Sequence, residues 1–287
     1  MKERIISGVV LAALIVGAGL AGGYVLAAAM LITSLIGFYE LMRACGVLEK
    51  DETVNAITGL VGIMIVVYYA GLMVLAHRHA HEPEILMHSG DFFTVVMVVT
   101  TFLTTIALYV LTYPRYHARQ LMYSLFGFLY VPFLLSFVYR ARLLPFGLYV
   151  YALIFVCSSI CDTCALAAGM LFGKHKMAPV LSPKKTVEGA VGGILGAAAT
   201  AFLLALIVGR LERHVDLRLE FTVLGACGAL LGIIGDLAAS AIKRENNIKD
   251  YGNLIPGHGG IMDRFDSIIF TAPVVYLLGV LLLGLAT

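Results

Sequence analysis

Nine apolar stretches, each about 20 residues long, follow one another along this chain, and they constrain its fold more than any other feature. They cover residues 5–22, 24–42, 55–76, 92–112, 120–139, 146–171, 187–209, 220–241 and 265–285. A helix of this length crosses a bilayer with all its backbone polar groups satisfied internally, whereas the alternating strands of a membrane barrel are absent from the sequence. We therefore predict an all-α integral membrane protein with a polytopic bundle of about nine transmembrane helices.

The composition agrees with this prediction. Of the 287 residues, 60% are hydrophobic and 13% are charged, which is too few charges to cover a water-soluble globule. The net charge of +2 gives no sign of a nucleic-acid partner, and we expect none. The five cysteines lie in or beside apolar runs, so neither a disulfide framework nor a zinc site is expected. Because the connecting loops are short, residues 1–287 are predicted to form a single membrane domain, with N-terminal helices to about 140 and the remaining helices and cytoplasmic loops from about 146.

The distribution of Lys and Arg predicts how the helices are oriented. With a cytoplasmic N-terminus, most of the 20 basic residues lie in the inside loops. Those left outside are Arg78, Arg140, Arg142, Arg210, Arg213 and Arg218. This bias favours a cytoplasmic N-terminus and a C-terminus on the opposite side of the membrane. The two most basic loops, 172–186 and 242–264, are then both on the cytoplasmic side.

One of these loops belongs to the most unusual segment of the chain, residues 235–266. Ten charged or titratable residues lie here between two apolar runs: Asp236, Lys243, Arg244, Glu245, Lys249, Asp250, His258, Asp263, Arg264 and Asp266. Charges kept at a membrane boundary usually coordinate a ligand or bind each other. Several Gly residues and Pro256 predict a shaped loop in the middle, with a helix at each end.

The two predicted helix ends carry carboxylates on defined faces. Asp236, Ser240 and Lys243 are spaced to share one helical face, and Asp263, Asp266 and Ser267 repeat the arrangement on the next helix. A hairpin return would bring Asp236 and Asp263 together, which predicts a site for a hard cation such as Mg²⁺. The alternative is a pair of helix-end charges, each neutralised by a neighbouring Lys or Arg.

A second group of polar residues surrounds the other basic loop. Asp162 lies about ten residues before the end of the sixth span, roughly 15 Å deep at about 1.5 Å per residue, so it should face a polar cavity or a Ser or Thr partner. Ser182, Thr186 and Glu188 are typical of a helix start, and Lys184 and Lys185 add positive charge there. The pattern predicts phosphate binding; the alternative is that the lysines only follow the positive-inside bias.

Two other polar regions are interpreted as solvated connections. Residues 77–91 contain His77, His79, His81 and His88 among acidic residues, and a metal site formed by His77 and His81 is the alternative there. Residues 210–219 alternate in charge, as an exposed link does.

Three of these motifs resemble one family. The pattern S-A-I-K-R-x4-K-D-x-G-x3-P-G-H-G-G-I-x-D-R-F-D, from Ser240 to Asp266, is similar to the signature of the phosphatidate cytidylyltransferases, the CDP-diacylglycerol synthases. Ser182-Pro-Lys-Lys-Thr-Val-Glu-Gly resembles a second stretch of that family, and Asp162-Thr-x-Ala followed by Gly-Lys-His-Lys a third. The resemblance covers the C-terminal half of the chain.

The resemblance implies that CTP and phosphatidic acid react to give CDP-diacylglycerol and pyrophosphate with Mg²⁺, in phospholipid biosynthesis at the cytoplasmic side of a bacterial cell membrane. It assigns Asp236 and Asp263 to the metal and, with Lys243 and Arg264, to catalysis. The substrate-site residues that we expect are Asp162, Ser182, Lys184, Lys185, Thr186, Glu188, Arg244, Lys249, Asp250 and His258. A second cation and a homodimer stay open.

The chemistry of that reaction agrees with these residue types. A phosphate monoester is largely dianionic at neutral pH, so no Ser, Cys or His nucleophile is needed, and the barrier is the approach of two polyanions. Metal ions and Lys or Arg clamps lower such a barrier. Two rival functions are an ion-coupled secondary transporter, whose halves usually repeat, and a polyprenol or other lipid kinase, which would change the acceptor.

Overall fold

A computed structural model describes residues 2–48, 54–80, 82–212 and 215–283 of the protein. The helices are α1 (Lys2–Ala21), α2 (Gly23–Ala44), α3 (Ala56–Arg78), α4 (Pro83–Leu111), α5 (Ala118–Phe128), α6 (Leu134–Arg142), α7 (Gly147–Phe172), α8 (Val187–Leu211), α9 (Arg218–Glu245) and α10 (Met262–Leu283). A π-helical turn, Leu129–Phe133, joins α5 to α6, and Pro132 in this turn has no amide hydrogen to continue the α-helical ladder.

The helices confirm the predicted fold class. Within the described residues, eight helical segments are long and apolar enough to cross a membrane, with α5, the π turn and α6 counted together as Ala118–Arg142. Helix α1 completes the predicted nine, although its apolar part, Ile6–Ala21, is shorter. The protein is therefore an all-α integral membrane protein; the cytoplasmic placement of its N-terminus stays a prediction.

The predicted helix start is confirmed at Thr186 and Glu188, whereas Ser182 lies in a strand before the helix. Residues Lys176–Ala178 and Ser182–Thr186 form two antiparallel strands, β1 and β2, with Ala178 opposite Ser182 and Lys176 opposite Thr186. Pro183 disfavours a helical conformation for the residue before it, and pairing with β1 satisfies the extended backbone. Helix α8 begins only at Val187.

The chain forms two compact units. The first comprises Met1–Ser136 and Ile248–Arg264, and the second comprises Phe137–Asn247 and Phe265–Thr287. The interior of the first unit contains paired hydroxyl groups: those of Ser34 and Tyr69 lie 2.8 Å apart, and those of Tyr68 and Ser136 lie 2.9 Å apart. Such pairing satisfies polar groups that have no access to water. The prediction of a single membrane domain stays a prediction.

Glycines set the close packing of α7 and α8 in the second unit. A Cβ atom added at Gly193 would lie 2.8 Å from the carbonyl oxygen of Cys161, and one added at Gly189 would lie 2.7 Å from that of Ala165. Helix α9 approaches α10 in the same way, with Gly228 and Gly232 against Thr271. Such close approaches at small residues are typical of helix contacts in membrane proteins.

Arg140 is buried rather than part of an external loop. Its side chain is only 6% exposed, and its Nη2 donates a hydrogen bond of 2.9 Å to the hydroxyl of Tyr276. The guanidinium also lies over the rings of Phe137 and Tyr276, at 4.9 and 4.5 Å from the centroids. Because Arg140 is used in helix packing, it should not be counted among the charges of the external loops. Without Arg140, Lys and Arg still predominate in the loops that are predicted to be inside.

The two regions interpreted as solvated connections are described in part. In the link between α8 and α9, Asp216 accepts hydrogen bonds from the side chain and the backbone of Arg218, which lower the pKa of Asp216 to about 2, while Arg213 and His214 lie outside the described residues. The connection between α3 and α4 is shorter than expected, because His77 belongs to α3 and His88 to α4. Within it, Nδ1 of His79 lies 3.3 Å from Oε2 of Glu82, and His81 lies outside the described residues.

We predict that Gly193→Val separates α7 from α8 and destabilises the protein by about 1–3 kcal/mol, as overpacking usually does. Ala199→Val is the matched control, because Ala199 is exposed on the same helix. The measurement is the thermal unfolding midpoint of both variants in one detergent. Equal midpoints for the two variants would contradict the role given to Gly193.

Candidate active site

A cavity of about 450 Å³ lies in the second unit beside α7, the two strands and α8. Its polar lining comprises Asp162, Lys176, Lys184, Lys185 and Thr186. The other side chains are apolar, among them Leu166 and Met170, which are 64% and 73% exposed on a membrane-spanning helix. Asp162 therefore lines a cavity together with three lysines, in a lining that is otherwise mostly apolar. The cavity combines a cationic wall with an apolar wall that lies within a membrane span.

An ion pair joins this cavity to α9. The ammonium of Lys185 binds the carboxylate of Asp236, and each side chain is 27% exposed. The hydroxyl of Ser240 also donates to Asp236, at 3.5 Å, so the predicted helical face of Asp236 and Ser240 is present. This pairing matches the alternative in which a lysine neutralises Asp236, and it also keeps a cation and an anion together beside the cavity.

A second carboxylate in this unit lies close to Asp236. Helices α9 and α10 run antiparallel, and a Cβ atom added at Gly235 would lie 2.7 Å from the carbonyl oxygen of Asp266. The side chain of Asp266 interacts electrostatically with Asp236, Asp162 and Lys243. The sequence grouped Asp266 with Asp263 on one helical face but gave it no role. The expected convergence of Asp236 and Asp263 stays a prediction.

The junction of β2 with α8 is held by side chains. Thr186 caps α8, because its hydroxyl accepts a hydrogen bond of 3.1 Å from the amide of Gly189. Glu188 in the first turn accepts hydrogen bonds from the amides of Lys174 and His175 and lies 2.6 Å from Nδ1 of His175. Glu188 therefore anchors the segment that leads into β1, and its role as a substrate ligand stays a prediction.

The predicted Gly-rich loop belongs to the first unit, where it is folded around Asp263. This carboxylate is 7% exposed and accepts hydrogen bonds from the amides of Tyr251 and Gly260, at 2.8 and 3.0 Å. Gly257 and Gly259 have φ angles of 75° and 84°, a conformation that favours glycine. The loop presents Lys249, Asp250 and Arg264 as exposed charges.

Two further contacts of this loop were missed from the sequence. Glu40 of α2 is 8% exposed, and it accepts hydrogen bonds from the amides of Ile261 and Met262. Ser7 of α1 lies 2.8 Å from Nδ1 of His258 and donates to the carbonyl of Pro256 at 3.2 Å. A carboxylate within an apolar span was a usable signal for Glu40, whereas a lone Ser in α1 gave none.

The carboxylates of the second unit have the right chemistry for Mg²⁺. Within the described ranges, no three His, Cys, Asp or Glu side chains are grouped closely enough to hold a metal ion by themselves. Mg²⁺ commonly takes only one or two protein carboxylates and completes its shell with water and substrate phosphates. Asp236, close to Asp266 and beside a cationic cavity, fits that donor set.

Comparison with known proteins supports one family. A model described as the cytidylyltransferase family matches residues 2–282. A phosphatidate cytidylyltransferase of Rickettsia bellii is 38% identical over 159 residues, 55% of this chain and 69% of the relative. One of Thermotoga maritima is 37% identical over 54% of this chain and 58% of its own length. One of Staphylococcus aureus (strain COL) is 29% identical over 97% of this chain and 98% of the relative.

We predict that Thr186→Ala, which removes the cap of α8, lowers stability by about 1 kcal/mol, while Thr186→Ser keeps the hydroxyl and most of the stability. The measurement is the unfolding free energy or thermal midpoint of the two variants in detergent. A Ser variant as unstable as the Ala variant would show that the methyl group of Thr186 matters rather than its hydroxyl.

Proposed function

The chain belongs to the cytidylyltransferase family, and we propose that it transfers the CMP group of CTP to phosphatidic acid, giving CDP-diacylglycerol and pyrophosphate. The observation that carries the proposal is the cavity in which Asp162, Lys176, Lys184 and Lys185 adjoin apolar side chains of a membrane span. One wall suits phosphates and the other suits the hydrocarbon of a lipid.

The transfer is a substitution at phosphorus. A phosphate-monoester oxygen of phosphatidic acid forms a bond to the α-phosphorus of CTP, while the bond from that phosphorus to the oxygen bridging to the β-phosphorus breaks, and pyrophosphate leaves. Because the attacking oxygen is already anionic near neutral pH, no side chain must remove a proton. The protein has to hold the reactants in line and to neutralise their charge.

The lysines of the cavity supply part of that neutralisation. Lys185 already binds a carboxylate, that of Asp236, and Lys176 and Lys184 line the same cavity. Phosphate oxygens attract the same ammonium groups, and this attraction is strong where water is partly excluded. We propose that Lys184 and Lys185 grip the phosphates, and that Ser182 and Thr186 border them.

The apolar wall supports a lipid acceptor. Leu166 and Met170 are exposed along α7, so acyl chains could remain in the bilayer while the phosphate enters the cavity. Moving only the headgroup avoids the cost of withdrawing hydrocarbon from lipid into water, about 0.8 kcal/mol for each CH₂ group. This placement explains why an enzyme with a nucleotide substrate would be built within a membrane.

Mg²⁺ is part of the proposal. Asp236 and Asp263 would hold it, as the resemblance implies, and Asp266, close to Asp236 in the second unit, would add a further carboxylate. When bound, the ion supplies positive charge to the triphosphate and to the departing pyrophosphate. Lys243 and Arg264 are proposed to assist at the reacting phosphate groups.

The remaining predicted residues, which lie between 242 and 264, are proposed to contact substrate from the cytoplasmic side. Arg244, Lys249 and Asp250 are exposed, and His258 is held by Ser7. The positive-inside bias supports a location of the site on the cytoplasmic face of the cell membrane, where CTP is available. No observation on the described part of the chain favours a transporter or a lipid kinase instead.

The test is an incubation of the purified protein with α-³²P-labelled CTP and phosphatidic acid, with and without Mg²⁺. We expect a labelled CMP-bearing lipid and one pyrophosphate for each lipid formed, both dependent on Mg²⁺. A lipid kinase would transfer the γ-phosphate and leave CDP, and a transporter would form neither product. Either result would overturn the proposal.

We predict that Asp236→Asn and Asp263→Asn each lower the rate of transfer by at least about 10²-fold, because each removes a negative charge from the proposed metal site. Asn keeps one acceptor oxygen, so the loop contacts of Asp263 are less disturbed than by Ala. Asp216→Asn, an exposed change in the link before α9, is the control and should keep the full rate. Near-normal activity of either site variant, measured as initial rate per folded protein, would refute its assignment.

A further inference from the structure

Glu40 occupies a costly position that the proposed reaction does not explain. It lies in α2, a membrane-spanning helix, and is only 8% exposed. Carboxylates within membrane spans are expensive and are retained where they bind a specific partner. Its partner is the segment between Tyr251 and Met262, which belongs to the same compact unit.

Both carboxylate oxygens of Glu40 are used. Oε1 accepts the amide hydrogen of Ile261 at 3.1 Å, and Oε2 accepts that of Met262 at 2.9 Å. These amides lie at the beginning of α10, where a helix leaves its first N–H groups without intrahelical acceptors. A negative charge at this end is also favoured by the helix dipole. Glu40 therefore fixes the position at which α10 starts.

The loop is also shaped to make room for Glu40. A Cβ atom added at Gly252 or at Gly260 would collide with its carboxylate. Neither glycine has a positive φ angle, unlike Gly257 and Gly259, so the backbone at these two positions would accept a side chain. A side chain is excluded at these two positions because the carboxylate of Glu40 occupies the space.

Asp263 holds the same loop from the other side. Its Oδ2 accepts the amides of Tyr251 and Gly260, and Gly260 directly precedes the first amide bound by Glu40. The two buried carboxylates thus bind four amides of one segment, and Met262, bound by Glu40, is the immediate neighbour of Asp263.

We propose that Glu40 is a positioning residue of the active site: by binding the amides of Ile261 and Met262 it sets the loop from Tyr251 to Met262 and thereby the place of Asp263, Arg264 and His258. The catalytic part of this inference rests on the proposed function, whereas the loop-holding part does not. Glu40 acts through backbone amides and touches no substrate.

The chemistry of Glu40 suggests the variants. Gln has nearly the same shape but one acceptor oxygen, and its NH₂ group would face an amide N–H, so one hydrogen bond and the charge are lost. Asp keeps both oxygens but is shorter by one methylene group. Glu220→Gln, in the first turn of α9, is the matched control for loss of an acidic charge.

The first measurement needs no catalysis. Hydrogen–deuterium exchange of the full-length protein in lipid nanodiscs should show about tenfold faster exchange for residues 251–262 in Glu40→Gln, while peptides of α7 and α8 keep the wild-type rate. Glu220→Gln should match the wild type throughout. Unchanged exchange of residues 251–262 in Glu40→Gln would overturn the proposal, whether or not the protein makes CDP-diacylglycerol.

The second measurement separates positioning from mere stability. Displacing Asp263 should lower kcat about tenfold and raise the Mg²⁺ concentration for half-maximal rate, whereas a smaller amount of folded protein leaves that concentration unchanged. Glu40→Asp should recover part of the loss. Suppose that residues 251–262 exchange hydrogen faster in Glu40→Gln while kcat and the Mg²⁺ dependence stay as in the wild type. Glu40 would then be a purely structural residue, which contradicts the proposal.

A double-mutant cycle tests the contact itself. Gly260→Ala should lower the rate in the wild-type background, because the methyl group displaces Glu40. In the Glu40→Ala background the same methyl group has room, so Gly260→Ala should lower the rate little further. Equal, additive losses in the two backgrounds would show that Gly260 and Glu40 do not act together.

Discussion

The cost of placing charge within or beside membrane-spanning helices governs this structure. Three charged side chains there have a specific partner: Lys185 binds Asp236, Arg140 stacks on Phe137 and Tyr276, and Glu40 binds the amides at the start of α10. An unpaired charge in a low-dielectric region costs several kcal/mol, so these partners fix where each charge can lie. The loops and helix ends that carry these charges are consequently held in defined positions.

The carboxylates fall into two kinds by what they bind. Glu40, Glu188 and Asp263 accept backbone amides, so they shape the loops that carry other side chains. Asp236 is near charged side chains instead, with Lys185 as its partner and Asp266 nearby. Because its partner is a side chain, Asp236 can exchange Lys185 for a metal ion or a phosphate-bound cation.

Close helix packing determines where the cavity can form. Gly189 and Gly193 let α8 approach α7 until a methyl group would no longer fit, and the cavity lies beside this contact with Gly189 in its lining. The strands β1 and β2 bring Lys176, Lys184 and Lys185 to the same cavity. The rigid helix pair therefore supports a cationic surface that a flexible loop alone could not hold in place.

The sequence alone determined the fold class, the helix positions and the membership of Asp162, Lys184, Lys185 and Asp236 in polar regions, because apolar length and local charge density are properties of contiguous residues. Helical periodicity also gave the face shared by Asp236 and Ser240. Only the tertiary structure decided that Ser182 is in a strand, that Lys185 binds Asp236, and that Glu40 holds a loop more than two hundred residues away. Partners distant in sequence are selected by packing in three dimensions, and no local pattern records that selection.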